Sequence, residues 1–99
     1  MNMQRILQEA QKMQAQIQKE QKELEGTIYE GNSSIVSVKM NGKYQIVEVK
    51  VNLDEAIDAS DKEMLEDMIL LAVNDATKKI AQDKEKKMGK FGQGLAGLM

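Results

Sequence analysis

Apolar and polar residues alternate along residues 35–51, and this period of two predicts two β-strands with one apolar face. The pair Asn41-Gly42 separates the two halves and predicts a two-residue type I′ turn, because both residues tolerate a positive φ. A lone hairpin is marginal in water, so we expect this apolar face to be covered. The residues expected on the covered face, in the core or at a dimer contact, are Val36, Val38, Met40, Val47, Val49 and Val51.

Residues 2–25 favour a first helix, because they are rich in strong helix formers and contain neither Gly nor Pro. Gly26 is expected to end it. Apolar residues recur there at intervals of three and four, which gives a narrow heptad stripe that needs a partner helix from the same chain or a second copy. The main members of this stripe are Met3, Ile6, Ala10, Met13, Ile17 and Leu24.

The remaining elements are a short strand and a second helix. Residues 27–30 predict an edge strand beside the hairpin, and residues 31–34 a turn. Ser60 and Glu63 have the spacing of a capping box, so the second helix is expected to begin at Ser60. Its apolar side is broader than that of the first helix up to Ile80, which predicts that its first turns cover the hairpin.

The end of the chain defines the predicted domain organisation. Beyond Ile80 the second helix is polar on all sides and is expected to project into solvent until Gly89 stops it. Residues 89–99 are rich in glycine and predict a flexible tail, which leaves residues 1–88 as a single domain. The predicted fold class is α+β, a three-stranded antiparallel sheet flanked by two long helices in the order α-β-β-β-α.

Composition limits the chemistry that the chain can perform. The absence of Cys and His removes the usual zinc ligands, thiol nucleophiles and imidazole bases. The acidic residues between 54 and 61 do not match a calcium-binding loop and are interpreted as a solvated connector and helix cap. We therefore expect no enzymatic activity, no metal, no cofactor and no small-molecule substrate.

The sequence also gives expectations about location and about single-stranded partners. One Phe and two Tyr leave few rings for stacking on exposed bases, and Tyr44 is expected to pack across the hairpin. The first residues lack the apolar core of a signal peptide, and no apolar run approaches the length of a membrane span. We expect a cytoplasmic protein with no membrane partner.

The net charge of −2 conceals an acidic stretch at residues 48–67 and a lysine-rich stretch at residues 78–90. The lysine-rich stretch is interpreted either as a solvated helix end or as an arm that contacts phosphates. Antiparallel pairing of the two helices is expected to bring Arg5 and Lys12 of the first helix near the second. The expected neighbours are Lys84, Lys86 and Lys87.

Several short motifs occur in order along the whole chain. They are Met1-Asn-Met-Gln, Gln11-Lys-Met-Gln14, Asp61-Lys-Glu-Met-Leu-Glu-Asp67, Ala72-Val-Asn-Asp-Ala76 and Lys87-Met-Gly-Lys90. Together they resemble the YbaB/EbfC family of bacterial nucleoid-associated proteins. The resemblance implies a homodimer in which paired three-stranded sheets form the body and projecting helical arms hold double-stranded DNA. It also implies a role in nucleoid organisation and gene regulation, with altered DNA conformation.

The physical pattern agrees with a dimer, because the narrow heptad stripe and the hairpin need more burial than one chain of 99 residues supplies. Under this interpretation the arms neutralise phosphates without reading sequence. The DNA contacts expected under this interpretation are Arg5, Gln8, Lys12, Lys79, Lys84, Lys86, Lys87 and Lys90.

The alternative is a helical protein-interaction adaptor or small chaperone that uses the Met-rich stripe and binds no nucleic acid.

Overall fold

The computed structural model describes residues 2–53 and 57–98, with side-chain surroundings for all of these up to residue 89 and for Phe91. The elements are α1 (Met3–Gly26), β1 (Ile28–Ser33), β2 (Val36–Asn41), β3 (Ile46–Val51), a 3-10 turn (Ala59–Asp61) and α2 (Lys62–Leu98). The predicted α+β class and the order α-β-β-β-α are confirmed. Over the described residues, neither helix combines the length and hydropathy that a membrane span requires.

The core lies between α2 and the first two strands of the sheet. The strands are antiparallel in the order β1-β2-β3, so β2 is central. The side chains of Val36, Val38 and Met40 on β2 are buried against α2, as the alternating pattern predicted. Their partners on α2 are led by the buried residues Ala72, Ala76 and Ile80.

Gly31 lets α2 lie directly on β1. A Cβ atom added at Gly31 would be 2.0 Å from the carbonyl oxygen of Ala72 and 2.6 Å from the amide nitrogen of Ala76. No side chain fits that space, because both neighbours are backbone atoms. The predicted turn at residues 31–34 is wrong in its extent, because β1 continues to Ser33. The connection to β2 is a tight turn in which Ser34 has a φ of 50°.

The turn between β2 and β3 also differs from the prediction. It is a longer loop in which the Asn41 carbonyl oxygen accepts from the N–H of Tyr44 at 3.0 Å, and the Asn41 side chain accepts from the N–H of Lys43 at 2.9 Å. The residue with a positive φ is Tyr44, at 63°, and Gly42 is not in that region. Gly42 is needed for a different reason, since a Cβ there would lie 1.9 Å from the carbonyl oxygen of Leu24 at the end of α1.

The third strand is not covered by α2. Val47, Val49 and Val51 are 55%, 50% and 38% exposed, so the expectation that they share the core of this chain is wrong. The reason is width: a helix is about 10 Å across and strands are about 4.8 Å apart, so one helix covers roughly two strands. Val47 is in addition the extra residue of a β-bulge, because Lys39 pairs with Glu48 while Met40 pairs with Ile46.

Both ends of α2 differ from the prediction. The capping box is formed by Asp58 and Asp61 rather than by Ser60 and Glu63, and the Asp58 carboxylate accepts from the N–H of Ser60 at 2.7 Å. The hydrogen bond from the Ser60 hydroxyl, and then that from the Ser60 N–H, holds the pKa of Asp58 below its ordinary value. At the other end the helix continues past Gly89 to Leu98, which corrects the predicted stop. Whether residues 89–99 form a flexible tail stays a prediction.

Two carboxylates of α2 tie the helix to β1. Asp75 accepts from the backbone N–H of Asn32 at 3.0 Å, and Asp83 accepts from the hydroxyl of Tyr29. Burial, then the hydrogen bond to Asp83, raises the pKa of Tyr29 to about 12. The same hydrogen bond is the main cause that lowers the pKa of Asp83; burial opposes it, and Lys87 adds to it.

We expect the Gly31→Val substitution to lower the free energy of unfolding by about 1–3 kcal/mol, because the added side chain overlaps the α2 backbone. Chemical denaturation followed by circular dichroism measures this change. Gly26→Ala is the matched control, since a Cβ at Gly26 meets nothing within 4 Å. Equal stability of the two variants would contradict the close approach of α2 to β1.

We expect the free energy of unfolding to fall as pH rises from the ordinary pKa of tyrosine, 10.0, to about 12, because the folded chain favours neutral Tyr29. Ultraviolet absorbance of the phenolate in a Tyr44→Phe chain reports Tyr29 alone, since the chain has two tyrosines. Asp83→Asn is expected to lower this pKa, because it removes the neighbouring negative charge. A Tyr29 that ionises at 10 in the intact chain would contradict the Tyr29–Asp83 hydrogen bond.

Candidate nucleic-acid interface

The two helices form a projection that extends beyond the sheet. The chain measures 72 × 20 × 14 Å, with a radius of gyration of 19.9 Å. A globular chain of this length would have a radius near 13 Å. The excess comes from the helices, because α2 with 37 residues spans about 55 Å while a six-residue strand spans about 20 Å.

The helices run antiparallel, in a different register from the one predicted. Leu24, at the end of α1, lines one cavity with Lys84 and Met88 of α2, whereas Met13 lines another with Phe91. The lysines at 84–87 therefore lie beside the last turns of α1, and the expectation that they neighbour Arg5 and Lys12 is wrong. The cause is the length of α2, whose continuation beyond Gly89 occupies the place opposite the start of α1.

Phe91 packs the far part of α2 against α1. Its side chain is 5% exposed and borders a shallow groove of about 520 Å³. The groove is also lined by Glu9, Lys12, Met13 and Gln16 of α1. This contact offsets the low helix propensity of the glycines around Phe91, which explains why the helix does not stop where the sequence predicts. Lys12 is thereby placed at the groove between the parts of α1 and α2 that project beyond the sheet, which we call the two arms.

Three of the expected contact residues are available to an external anion. Lys12, Lys84 and Lys86 are exposed, and they form no ion pair with any residue that the structure describes. Gln8 is also exposed on α1. Arg5 pairs with Glu9 at 3.5 Å, but both side chains are largely exposed, and such a pair is worth little in water.

The other expected contacts are bound to the body of the protein or lie outside the described side chains. Lys79 donates to the carbonyl oxygen of Glu30 at 2.6 Å and pairs with Asp75 at 3.3 Å. Lys87 pairs with Asp83 at 3.3 Å and is only 27% exposed at its side chain. Lys90 is within α2, and its side chain is outside the described part of the chain.

The loop between β2 and β3 also lies at this end of the molecule, which the sequence did not predict. The loop of residues 42–45 lies at the base of both arms, where Tyr44 lines a cavity with Leu24, Lys84 and Met88. The two-residue turn predicted at Asn41-Gly42 would leave Tyr44 on a strand, so its position in the loop was not expected. No sequence signal marked it, because the approach of α1 to Gly42 is a tertiary contact.

The described residues contain no group of three acidic side chains placed to hold a metal ion. The acidic residues at 54–56 lie outside the described part of the chain. Of the remaining acidic connector, Asp58 and Asp61 cap the 3-10 turn. The chemistry available at the projecting end is therefore that of exposed ammonium groups, an amide and a phenol.

Comparison with known proteins covers nearly the whole chain. The YbaB/EbfC DNA-binding family matches residues 1–95. A "nucleoid-associated protein" of Ligilactobacillus salivarius is 39% identical over 100 residues, which cover 99% of this chain and 95% of that protein. One from Chloroflexus aurantiacus is 42% identical over 100 residues, covering 99% of each chain.

A solved structure shares the fold. The crystal structure of an uncharacterized protein from Helicobacter pylori superposes with a TM-score of 0.68 and 21% sequence identity, covering 87% of this chain and 91% of that one. At this identity the likeness concerns the fold alone. The family match and the relatives near 40% identity establish the relationship: this chain belongs to the YbaB/EbfC DNA-binding family.

Proposed function

We propose that this protein is a cytoplasmic, nucleoid-associated protein that binds duplex DNA as a homodimer and alters its conformation, and so contributes to nucleoid organisation and gene regulation. The observation that carries the nucleic-acid assignment is the family match over residues 1–95. The structure supports it with a projecting, lysine-bearing end that the sheet does not cover.

Binding is expected to depend on phosphate contacts. Lys12, Lys84 and Lys86 form no ion pair with the described residues, so they can neutralise phosphates without first breaking one. Arg5 can exchange its exposed partner Glu9 for a phosphate at little cost in free energy. Gln8 and Lys90 are the other proposed DNA contacts on the arms. Lys79 and Lys87 contribute less, because each is held by a carboxylate of α2.

The uncovered side of the sheet supports the homodimer. Val49 and Val51 of β3 belong to the face that α2 covers elsewhere, and Ile69 and Leu70 of α2 are also exposed. Exposed apolar surface of this kind marks an association site. The opposite edge, at β1, is occupied by side chains of α2. We therefore place the second copy at β3, where two-fold symmetry brings the same surface from both chains together.

A dimer of this kind carries two pairs of arms on one rigid body. Each pair contacts phosphates at its own position, and the body fixes the distance between the two positions. A duplex that satisfies both sets of contacts must adapt its path to the protein, and deformation of DNA depends on its flexibility rather than on base contacts. This is the physical basis for proposing that binding alters DNA conformation.

We expect the double substitution Lys84→Glu with Lys86→Glu to weaken duplex binding at least tenfold and to leave the dimer intact. Because the dimer then has four fewer ammonium groups to neutralise phosphates, the slope of log K against log salt falls by about 3.6. Gel-shift titration at several salt concentrations measures both quantities. Lys62→Glu is the matched control, because Lys62 is exposed at the opposite end of α2. Unchanged binding by the double variant would exclude these lysines from the interface.

We expect Val49→Asp to abolish both the dimer and DNA binding while the single chain stays folded, since Val49 is already half exposed in it. Sedimentation equilibrium measures the mass, and circular dichroism measures the helix content. Lys50→Gln on the other face of β3 is the control and should leave the dimer unchanged. A Val49→Asp protein that still dimerises would place the interface elsewhere.

A protein-interaction adaptor is kept as the alternative, because Met3, Ile6 and Leu7 at the start of α1 are exposed. The same titration separates the two functions. Duplex binding that weakens steeply with salt supports the nucleic-acid function. An intact dimer that binds no duplex at low salt would favour the adaptor.

A further inference from the structure

The loop between β2 and β3 lies at the point where both helices extend beyond the sheet. The backbone of α1 at Leu24 lies so close to Gly42 that a Cβ there would be 1.9 Å from the Leu24 oxygen. On the other side, Tyr44 shares a cavity of about 380 Å³ with Lys84 and Met88 of α2. Both arms therefore leave the body at this loop, and a molecule held along the arms meets the loop at their base.

Tyr44 has a backbone conformation that does not suit a tyrosine. Its φ of 63° lies in the left-handed region, which glycine and asparagine adopt far more readily than bulky residues. A glycine at this position would relieve the strain. Strained residues of this kind concentrate at functional sites, where the position of the side chain matters more than a relaxed backbone.

The side chain held in this way is free to bind. Tyr44 is 47% exposed, and its hydroxyl makes no hydrogen bond with any described residue. The structure places it in the loop, where it lines a cavity with Leu24 and Lys84 of the helices. A phenol hydroxyl is a good donor to a phosphate oxygen.

The charges around Tyr44 favour an anion. Lys43 precedes it in the loop and Lys84 lines the same cavity, and both are exposed without an ion pair among the described residues. Glu25 is the carboxylate in that lining, and it accepts a hydrogen bond from Gln21 at 3.4 Å. The cavity lining thus has one lysine, Lys84, and one carboxylate, Glu25, and Lys43 adds a second exposed ammonium group in the neighbouring loop position.

We propose that Lys43 and Tyr44 form, together with Lys84, a further nucleic-acid contact at the base of the arms. The Tyr44 hydroxyl donates to a phosphate oxygen of the duplex, and the two ammonium groups neutralise that phosphate and its neighbour. The loop thereby sets how deeply the duplex sits between the arms. This inference rests on the proposed DNA-binding function and extends it from the helices to the hairpin.

Tyr44→Gly gives the sharpest test, because it separates stability from binding. We expect the thermal midpoint to rise by a few degrees as the backbone strain is relieved, and duplex affinity to fall about tenfold. Thermal unfolding and gel-shift titration on the full chain measure the two effects. Duplex affinity that stays at the wild-type value would overturn the proposal.

Two milder variants keep the proposal testable if Tyr44→Gly perturbs the loop. Tyr44→Phe removes only the hydroxyl and is expected to weaken binding several-fold at an unchanged thermal midpoint. Lys43→Gln is expected to lower the salt slope by about 1.8, because it removes one ammonium group from each chain of the dimer. Lys62→Gln, at the far end of α2, is the control and should match the wild-type slope.

The outcomes distinguish this inference from the function on which it depends. Wild-type binding that is abolished by Lys84→Glu with Lys86→Glu but unchanged in the Tyr44 and Lys43 variants would overturn the loop contact alone. A wild-type dimer that does not bind duplex at low salt would overturn the proposed function. Weaker binding by Tyr44→Phe and a lower slope for Lys43→Gln, with Lys62→Gln unchanged, would support the inference.

Discussion

The close approach of α2 to β1 is the contact on which the rest of the molecule depends. The absence of a side chain at Gly31, together with the small side chains of Ala72 and Ala76, allows backbone to pack directly on backbone. A helix seated this low is centred over β1 and β2 and cannot reach β3. This one packing contact thus buries the central strand and leaves the third strand for another partner. It also fixes the direction in which the remaining turns of α2 project.

The two edges of the sheet differ as a result. At β1 the Asp75 carboxylate and the Lys79 ammonium bind the backbone N–H of Asn32 and the C=O of Glu30, which would otherwise be free to pair with another strand. At β3 the apolar side chains are exposed and the strand contains a bulge. The backbone of the β1 edge is therefore bound by α2, whereas the apolar side chains of β3 are exposed, and this difference is why the proposed dimer interface is placed at β3.

Much of the fold could be predicted from local pattern, but the tertiary contacts could not. Period-two alternation correctly placed Val38 in the core and wrongly placed Val49 there, because alternation reports which face is apolar and not how far a single helix extends across it. Gly42 was interpreted as a turn residue, yet it provides space for α1. Gly89 was interpreted as a helix stop, yet α2 passes through it because Phe91 packs against α1. A sequence shows that glycine is present but not whether a turn or a neighbouring backbone requires it.

The lysines at the basic end of α2 fall into two groups that alternate along the helix: some contact the fold, and the others are exposed without an ion pair among the described residues. Asp75 with Lys79 and Asp83 with Lys87 repeat one arrangement two turns apart, in which each carboxylate accepts from β1 and is balanced by a lysine four residues later. Those two lysines stabilise the junction with the sheet. Lys84 and Lys86 lie between and beside these pairs and form no ion pair with any described residue. A count of lysines cannot separate the two groups, because the division depends on which residues of α2 lie over β1. The local field at the arms is therefore weaker than six lysines suggest, and it is concentrated where α2 leaves the sheet, beside the loop that holds Tyr44.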